Sequence, residues 1–395
     1  MTAKRVSVAS GVFVVVLAAI TVAAWRTGYW VLTAIPIGAL FGFFLQKGDL
    51  CGSSAFSEVV LARDWRKVWG LWVAIVVSML GIALGDLLGW IQLNPKPLVW
   101  ASAVVGGLVF GVGIVLAGGC VSGCLYKAAT GNLNSIAALL AMPAGLALAE
   151  YGPLSGWRAG LLQLRIPAAD GGPVTLSSLT GLPFWGLALV VALATLAWAR
   201  ARRSSQQAKA EATTPDTGAT SGAILRRPWK PWQAGIAIGL LTLPAYVSSA
   251  ASGRNYPLGT THGVLHASVL LTDTPVQHVT GVVAPATVPA EPGTSAPRRK
   301  VVWWLVLLVG SLMVGSQLAG RLSGAARLLP KPPEQVLVAV AGGFLVGVGA
   351  SLAVGCVIGN ILSGWAMMSI GALLFGIVTI LANWATTVVY LRGVR

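Results

Sequence analysis

The sequence predicts an all-α polytopic membrane protein, an inverted repeat of transmembrane helices in which short broken or re-entrant helices meet at the midplane. Three observations carry this. Of the 395 residues, 56% are apolar and only 10% charged, against about 25% charged in a typical soluble domain. The apolar residues form runs long enough to cross a hydrocarbon core of about 30 Å, with Lys and Arg gathered at their ends. One 21-residue stretch recurs in the second half of the chain without a gap.

The runs lie near residues 8–25, 29–46, 67–90, 98–118, 134–150, 182–200, 233–251, 301–320, 335–354 and 368–387. The first follows Lys4 and Arg5 and reads as a plain transmembrane helix rather than a signal peptide, because no small-x-small cleavage site leads into a soluble domain. Residues 1–28 are then an extra N-terminal helix, 29–200 a first half, 201–230 a polar linker, and 231–395 a second half with a polar loop at 272–300. Short, Gly-bounded apolar pieces near 51–62, 120–132, 259–271 and 356–367 are too short to span alone and read as broken or re-entrant helices.

The formal charge of 27 − 11 = +16 would suggest a nucleic-acid partner in a soluble protein. Here the basic residues cluster at segment ends, as in Arg63, Arg66 and Lys67 or Arg226, Arg227 and Lys230, which is the pattern of cytoplasmic loops. No basic run is interleaved with aromatics along a groove-sized surface, so nucleic acid is not an expected partner. Trp25, Trp30, Trp65, Trp69, Trp90 and Trp100 near segment ends read as interfacial anchors.

The repeat pairs Val104–Cys124 with Val340–Asn360 at a constant offset of 236 residues, and twelve of the 21 positions are identical. A weaker echo sets Asp49–Ser54 against Pro257–His262. An odd number of crossings separates the two copies whether the broken units cross or return, which makes the repeat inverted, with a site where the breaks meet. Counting Lys and Arg on the two sides favours cytoplasmic termini and a cytoplasmic linker under either assumption.

All four cysteines sit at the breaks: Cys51 in QKGDLCGSS, Cys120 and Cys124 in GGCVSGC, and Cys356 in VGCVIGN. Inverted symmetry brings them to one site; the alternative is that cysteine serves only as a small hydrophobe packing among glycines. Gly118, Gly119 and Gly355 allow the turns, since a broken helix is tolerable only where protein buries it or a cavity hydrates it. Short helices that start after a break point free N–H groups at the centre, which favours an anion. Lys47, Lys127 and Arg254 lie in or beside the breaks, where a cation is a functional candidate; the competing reading is that Lys47 pairs locally with Asp49, or that Lys47 and Lys127 snorkel to an interface.

These residues carry a resemblance. GALFGFFLQKGDLCGSSAFSE at Gly38–Glu58, GLVFGVGIVLAGGCVSGCLYKAATGN at Gly107–Asn132, YPLGTTHG at Tyr256–Gly263 and GFLVGVGASLAVGCVIGN at Gly343–Asn360 resemble the YeeE/YedE family of sulphur-transport integral membrane proteins, whose members include bacterial thiosulfate transporters. The resemblance implies an hourglass-shaped inverted-repeat fold and three cysteines along a central path, here Cys51, Cys120 and Cys356, that pass a thiosulfate ion inward through hydrogen bonds from S–H. Cys124 is extra to that trio and stands where the second half has Asn360; His262, in the second-half break, is a further departure.

The expected function is import of a small sulfur-containing anion, most simply thiosulfate, along neutral thiols, which are weak donors and weak acceptors and so let an ion enter and still leave. The expected path takes in Cys51, Cys120, Cys356, Cys124, Lys47, Lys127, Gly119, Gly355 and His262. Expected partners are that anion, the lipid of a bacterial inner membrane and a cytoplasmic sulfur-acceptor protein, with the chain a monomer. A membrane thiol-disulfide oxidoreductase using Cys120 and Cys124 is the alternative, although their i, i+4 spacing fits a redox pair less well than Cys-x-x-Cys. A copper(I) or zinc carrier is disfavoured by scarce Met and His and by positive local charge. No Ser/His/Asp set, zinc motif or phosphate loop is present, so neither an enzyme nor a cofactor is expected.

Overall fold

Lipid offers no partner to backbone N–H and C=O groups, so the apolar runs must close their hydrogen bonds internally as helices. The computed structural model describes residues 3–169, 171–207, 227–272, 276–281, 299–328 and 330–393. Most of the 201–230 linker and of the 272–300 loop lies outside the described residues.

In chain order the helices are α1 (Ala3–Thr27), α2 (Ala34–Gly48), α3 (Gly52–Ala62), α4 (Arg66–Leu87), α5 (Trp100–Leu116), α6 (Val121–Ala129), α7 (Leu133–Glu150), α8 (Ser155–Gln163), α9 (Leu176–Thr180) and α10 (Phe184–Gln207). After the linker come α11 (Pro231–Ala251), α12 (Thr261–Val269), α13 (Trp303–Ser323), α14 (Pro333–Leu352), a π-helical turn at Val357–Leu362 that runs into α15 (Ser363–Ala366), and α16 (Ile370–Gly393). Two short parallel strands, β1 (Val276–Val279) and β2 (Arg299–Val302), pair in the polar loop region. Among the described residues nine helical stretches are long and apolar enough to cross a membrane, three of them counted through a break (Trp30–Ala62, Trp100–Ala129 and Pro333–Ala366). The chain is a multi-pass membrane protein. The first of the ten expected runs appears as a shorter apolar helix at Gly11–Thr27. The four short pieces expected from the sequence are α3, α6, α12 and the Val357–Ala366 unit.

Helices in lipid gain little from burying one another's apolar faces, so small residues that let backbones approach decide the packing. In α14, Gly343 and Gly347 face the Ala138 and Met142 carbonyls of α7, while Gly349 faces the Phe110 backbone of α5. In α13, Gly315 lies on the Ala39 carbonyl of α2, and the Ser316 hydroxyl donates to Gly42 O at 3.0 Å. In α11, Gly235 lies on Gly70 O of α4, and Thr242 meets Ser78 at 2.8 Å. On α5, Gly111 fits against Thr379 O of α16. The contact pairs Gly106–Ala353, Gly113–Val346 and Ala117–Gly342 make α5 and α14 antiparallel, whereas Ala138–Gly343 and Met142–Gly347 make α7 and α14 parallel.

Such contacts have little slack. Gly343→Val puts a branched side chain where even a Cβ meets the Ala138 backbone, and overpacking costs roughly 1–3 kcal/mol. The purified protein in detergent is expected to lose thermal stability relative to Gly310→Val, where open space surrounds the added Cβ; equal Tm values for the two variants would contradict this.

The contacts also sort the breaks between two ends of the bundle. At the linker end, Trp229 N donates to Lys47 O at 2.9 Å, Arg327 N to Thr130 O at 3.0 Å, and Trp69 packs on Trp198 with ring centroids 4.7 Å apart. At the far end, Asn94 Nδ2 donates to Asn255 O at 2.9 Å, Ile370 N to Val174 O at 3.1 Å, and Trp304 Nε1 to Ser248 Oγ at 2.8 Å.

Candidate functional site

The first-half site forms where α2 stops. Asp49 takes a left-handed conformation (φ 45°) and Leu50 N returns to Leu45 O at 3.1 Å, which ends the helix; Cys51 is then extended as the N-cap of α3. Across from it α5 ends in a turn at Gly118 (φ 67°), and Cys120 is extended as the N-cap of α6. The two thiols meet at 3.9 Å between sulfurs, fully buried, and Cys120 Sγ also lies 3.4 Å from Ser122 Oγ. Ser53 Oγ donates to Ile114 O at 2.7 Å and ties α3 to α5. Gly123 sits directly beneath the pair: a Cβ there would meet Cys51 Sγ and lie 3.5 Å from Cys120 Sγ. Gly52 faces the Val357 side chain, at 2.8 Å from an added Cβ, so the first-half break touches the second-half one.

The charged groups around this pair differ from expectation. Asp49 does not rely on Lys47: its carboxylate accepts Lys67 Nζ at 2.5 Å and Tyr126 OH at 2.7 Å, and Lys67 also reaches Glu58 at 2.6 Å. Lys47 is buried, with its ammonium 5.8 Å from the Phe43 ring centroid and its carbonyl held by Trp229, at the linker end of α2. Lys127 Nζ donates to Gly118 O at 3.0 Å. Gly119 does not supply the turn; that role is Gly118's. An added Cβ at Gly119 would lie 3.1 Å from Cys124 Sγ, and Cys124 donates to Gly119 O at 3.5 Å.

The second half builds the same pair with one substitution. Cys356, extended and fully buried, lies 3.4 Å from Thr260 Oγ1, and Thr260 is the N-cap of α12 as Cys51 is of α3. The helix starts therefore align Cys51 with Thr260, one residue away from the echo read in the sequence, which set Cys51 against Gly259. Three thiols and one hydroxyl occupy four equivalent places. Cys356 lies in the second-half break with Thr260 as its partner, and the first half holds Cys51, Cys120 and Cys124.

Beside Cys356 a cavity of about 200 Å³ opens at the far end, lined by Lys96, Arg254, Tyr256, Thr261, His262 and Gly355 among others. Lys96 Nζ donates to Val354 O at 2.5 Å and Asn360 Oδ1 at 2.6 Å. Arg254 donates to the Tyr256 and Pro257 carbonyls at 2.9 and 2.8 Å and lies over the Tyr256 and Trp304 rings. Tyr256 OH donates to Gly359 O at 2.5 Å. The Thr261 hydroxyl, in the first turn of α12, is buried without a hydrogen-bond partner. His262 pairs through Nε2 with Glu150 Oε1 at 3.3 Å, and Arg158 lies 3.8 Å from the same oxygen. Among the described residues no carboxylate lines the cavity, so two cations, a free hydroxyl and a helix N-terminus face a space suited to a small anion.

Sequence reasoning missed Lys96, Thr260 and Thr261. Pro95-Lys96-Pro97 reads as an interfacial loop, and nothing local in it says that the loop folds back onto the second-half break 258 residues away.

The model of the sulphur transport family matches residues 47–385, a span that holds all four break elements. The chain belongs to that family. Within the sulphur transport family it is 30% identical over 371 residues to a protein of Spirochaeta thermophila named thiosulfate transporter TsuA, covering 91% of this chain and 99% of the relative. It is 28% identical over 376 residues to the Escherichia coli protein of that name, with 92% and 96% covered. A probable transporter, YedE of Escherichia coli, matches over 104 residues at 35% identity, 26% of this chain and 25% of the relative. Family and relatives are named for transport rather than for an enzyme activity, and neither supports the oxidoreductase alternative.

Proposed function

We propose that this chain imports thiosulfate across the inner membrane, with the linker end cytoplasmic. The observation that carries it is the far-end cavity, where Lys96, Arg254 and the unpartnered Thr261 hydroxyl stand next to Cys356 with no carboxylate among the described lining residues. Two relatives named thiosulfate transporter, each aligned over more than nine-tenths of the chain, supply the identity of the ion.

Orientation follows from charge. Arg63, Arg66, Arg200, Arg227, Lys230 and Arg321 lie toward the linker end, and such clustering marks the cytoplasmic side; both termini then face the cytoplasm. The halves run in opposite senses, supported by the antiparallel α5 and α14 and by the start of α11 lying at the end of α2. Packing adds to this, since α2 on α13 has its counterpart in α11 on α4, and α14 on α7 in α5 on α16.

The ion enters the far-end cavity, exchanges water for cationic and hydroxyl donors, passes the Cys356–Thr260 pair and then the Cys51–Cys120 pair toward the cytoplasm. Each pair offers weak donors, which bind the ion without trapping it. A dianion moving toward a negative interior is opposed by about 4.6 kcal/mol per 100 mV, twice about 2.3 for one charge. Neutral thiols cannot supply that energy, so net import depends on removal of the ion inside, the role of a sulfur-acceptor protein. Cys124 and Lys47 lie off this path, and His262 borders its entrance.

The test is uptake of labelled thiosulfate by cells that lack their own sulfate and thiosulfate importers. Saturable uptake that appears only with this chain, and that excess unlabelled thiosulfate suppresses more strongly than sulfate does, is the expected result. No uptake by well-expressed, membrane-inserted protein would overturn the reading.

A further inference from the structure

Just past the C-caps of α5 and α14, Ala117 and Ala353, the breaking residues carry backbone carbonyls outside any helix ladder, lying against the negative ends of two helix dipoles. In a bilayer they must be satisfied by protein. Left bare beside an anion path they would also repel the ion.

Both breaks solve this in the same way. In the first, Lys127 Nζ donates to Gly118 O at 3.0 Å and Cys124 Sγ to Gly119 O at 3.5 Å. In the second, Lys96 Nζ donates to Val354 O at 2.5 Å and Asn360 Nδ2 to Gly355 O at 3.1 Å. The 236-residue offset pairs Gly118 with Val354, Gly119 with Gly355 and Cys124 with Asn360, so equivalent side chains cap equivalent carbonyls. Val354 even shares the left-handed conformation of Gly118, at φ 54° against 67°. The lysines differ in origin. Lys127 lies on the helix after its own break, whereas its counterpart Ser363 donates to Leu258 O and leaves the place for Lys96 of the 88–99 loop.

We infer that Cys124 is a positioning residue, a carbonyl cap interchangeable with another donor, that works with Lys127 as Asn360 works with Lys96 to hold the two breaks in shape. This explains why a fourth cysteine beside the thiols places its Sγ on the Gly119 carbonyl, and why its equivalent is an asparagine. The consequence for transport rests on the thiosulfate reading; the capping role does not.

The test compares Cys124→Ser, which keeps a donor, with Cys124→Ala, which removes it, and adds Lys127→Met. With equal amounts in the membrane, thiosulfate uptake is expected within about twofold of wild type for the serine variant and reduced about threefold for alanine, the scale of one weak hydrogen bond. Lys127→Met is expected to raise the half-saturating concentration about tenfold, because a charge-assisted bond is lost and a bare carbonyl faces the ion. Thermal unfolding of the purified variants gives a second readout, with alanine below serine and serine near wild type. An alanine variant equal to wild type in both measurements, or a serine variant as impaired as alanine, overturns the inference. If wild type itself takes up no thiosulfate, the transport reading fails while the unfolding order still decides the cap.

Discussion

Alanine at Cys120 is expected to cut thiosulfate uptake about 10- to 100-fold with the protein still folded and inserted, and alanine at Cys51 or Cys356 to do the same. The magnitude comes from the ion's charge. A hydrogen bond to a charged group is worth about 1.5–3 kcal/mol, and each 1.4 kcal/mol is about a factor of ten. Cys51 and Cys120 are fully buried with their sulfurs 3.9 Å apart, so no water replaces a missing donor there. Position should matter as much as presence. Gly123→Ala keeps every thiol but places a methyl against Cys51 Sγ; it is expected to reduce uptake by a similar factor. Labelled uptake, normalised to protein in the membrane, measures both effects. An alanine variant at any of the three cysteines that stays within about twofold of wild type would remove that thiol from the path.

The equivalence of the halves gives that experiment an internal comparison. Thr260 stands to Cys356 as Cys51 stands to Cys120, so Thr260→Val should impair uptake while Thr260→Ser, which keeps the hydroxyl, should not. Much of this was legible in the sequence. The breaks announced themselves because glycine and cysteine interrupt otherwise apolar runs, and the repeat fixed which breaks correspond. Side-chain partners were not legible. Asp49 is adjacent in sequence to Lys47's turn, yet Lys67 and Tyr126 hold it, because the end of α2 and the start of α4 meet at the linker end. The equivalence of Cys51 and Thr260 was hidden for a similar reason: the two half-helices share a geometric role, an N-cap whose side chain meets the next break, and hardly share residues.

Lys96 shows most clearly how a membrane fold assigns work to a residue that its neighbours do not mark, and Lys96→Met is expected to weaken thiosulfate uptake about 10- to 100-fold through a raised half-saturating concentration. Two losses combine. Among the described lining residues Arg254 is then the remaining Lys or Arg, and the Val354 carbonyl and the Asn360 side-chain oxygen lose the ammonium that satisfied them, each at a cost of roughly 1–3 kcal/mol if left buried and unpaired. Lys96→Arg is not expected to rescue. A Cβ at Gly355 would already lie 2.7 Å from Lys96 Nζ, so the break has no room for a planar guanidinium, and the two cations are not interchangeable in so tight a site. Concentration dependence separates this from general damage. A fold defect lowers the maximal rate by lowering the amount of competent protein, whereas a lost anion contact at the entrance moves the half-saturating concentration. An unchanged half-saturating concentration in Lys96→Met would place the entrance of the path elsewhere.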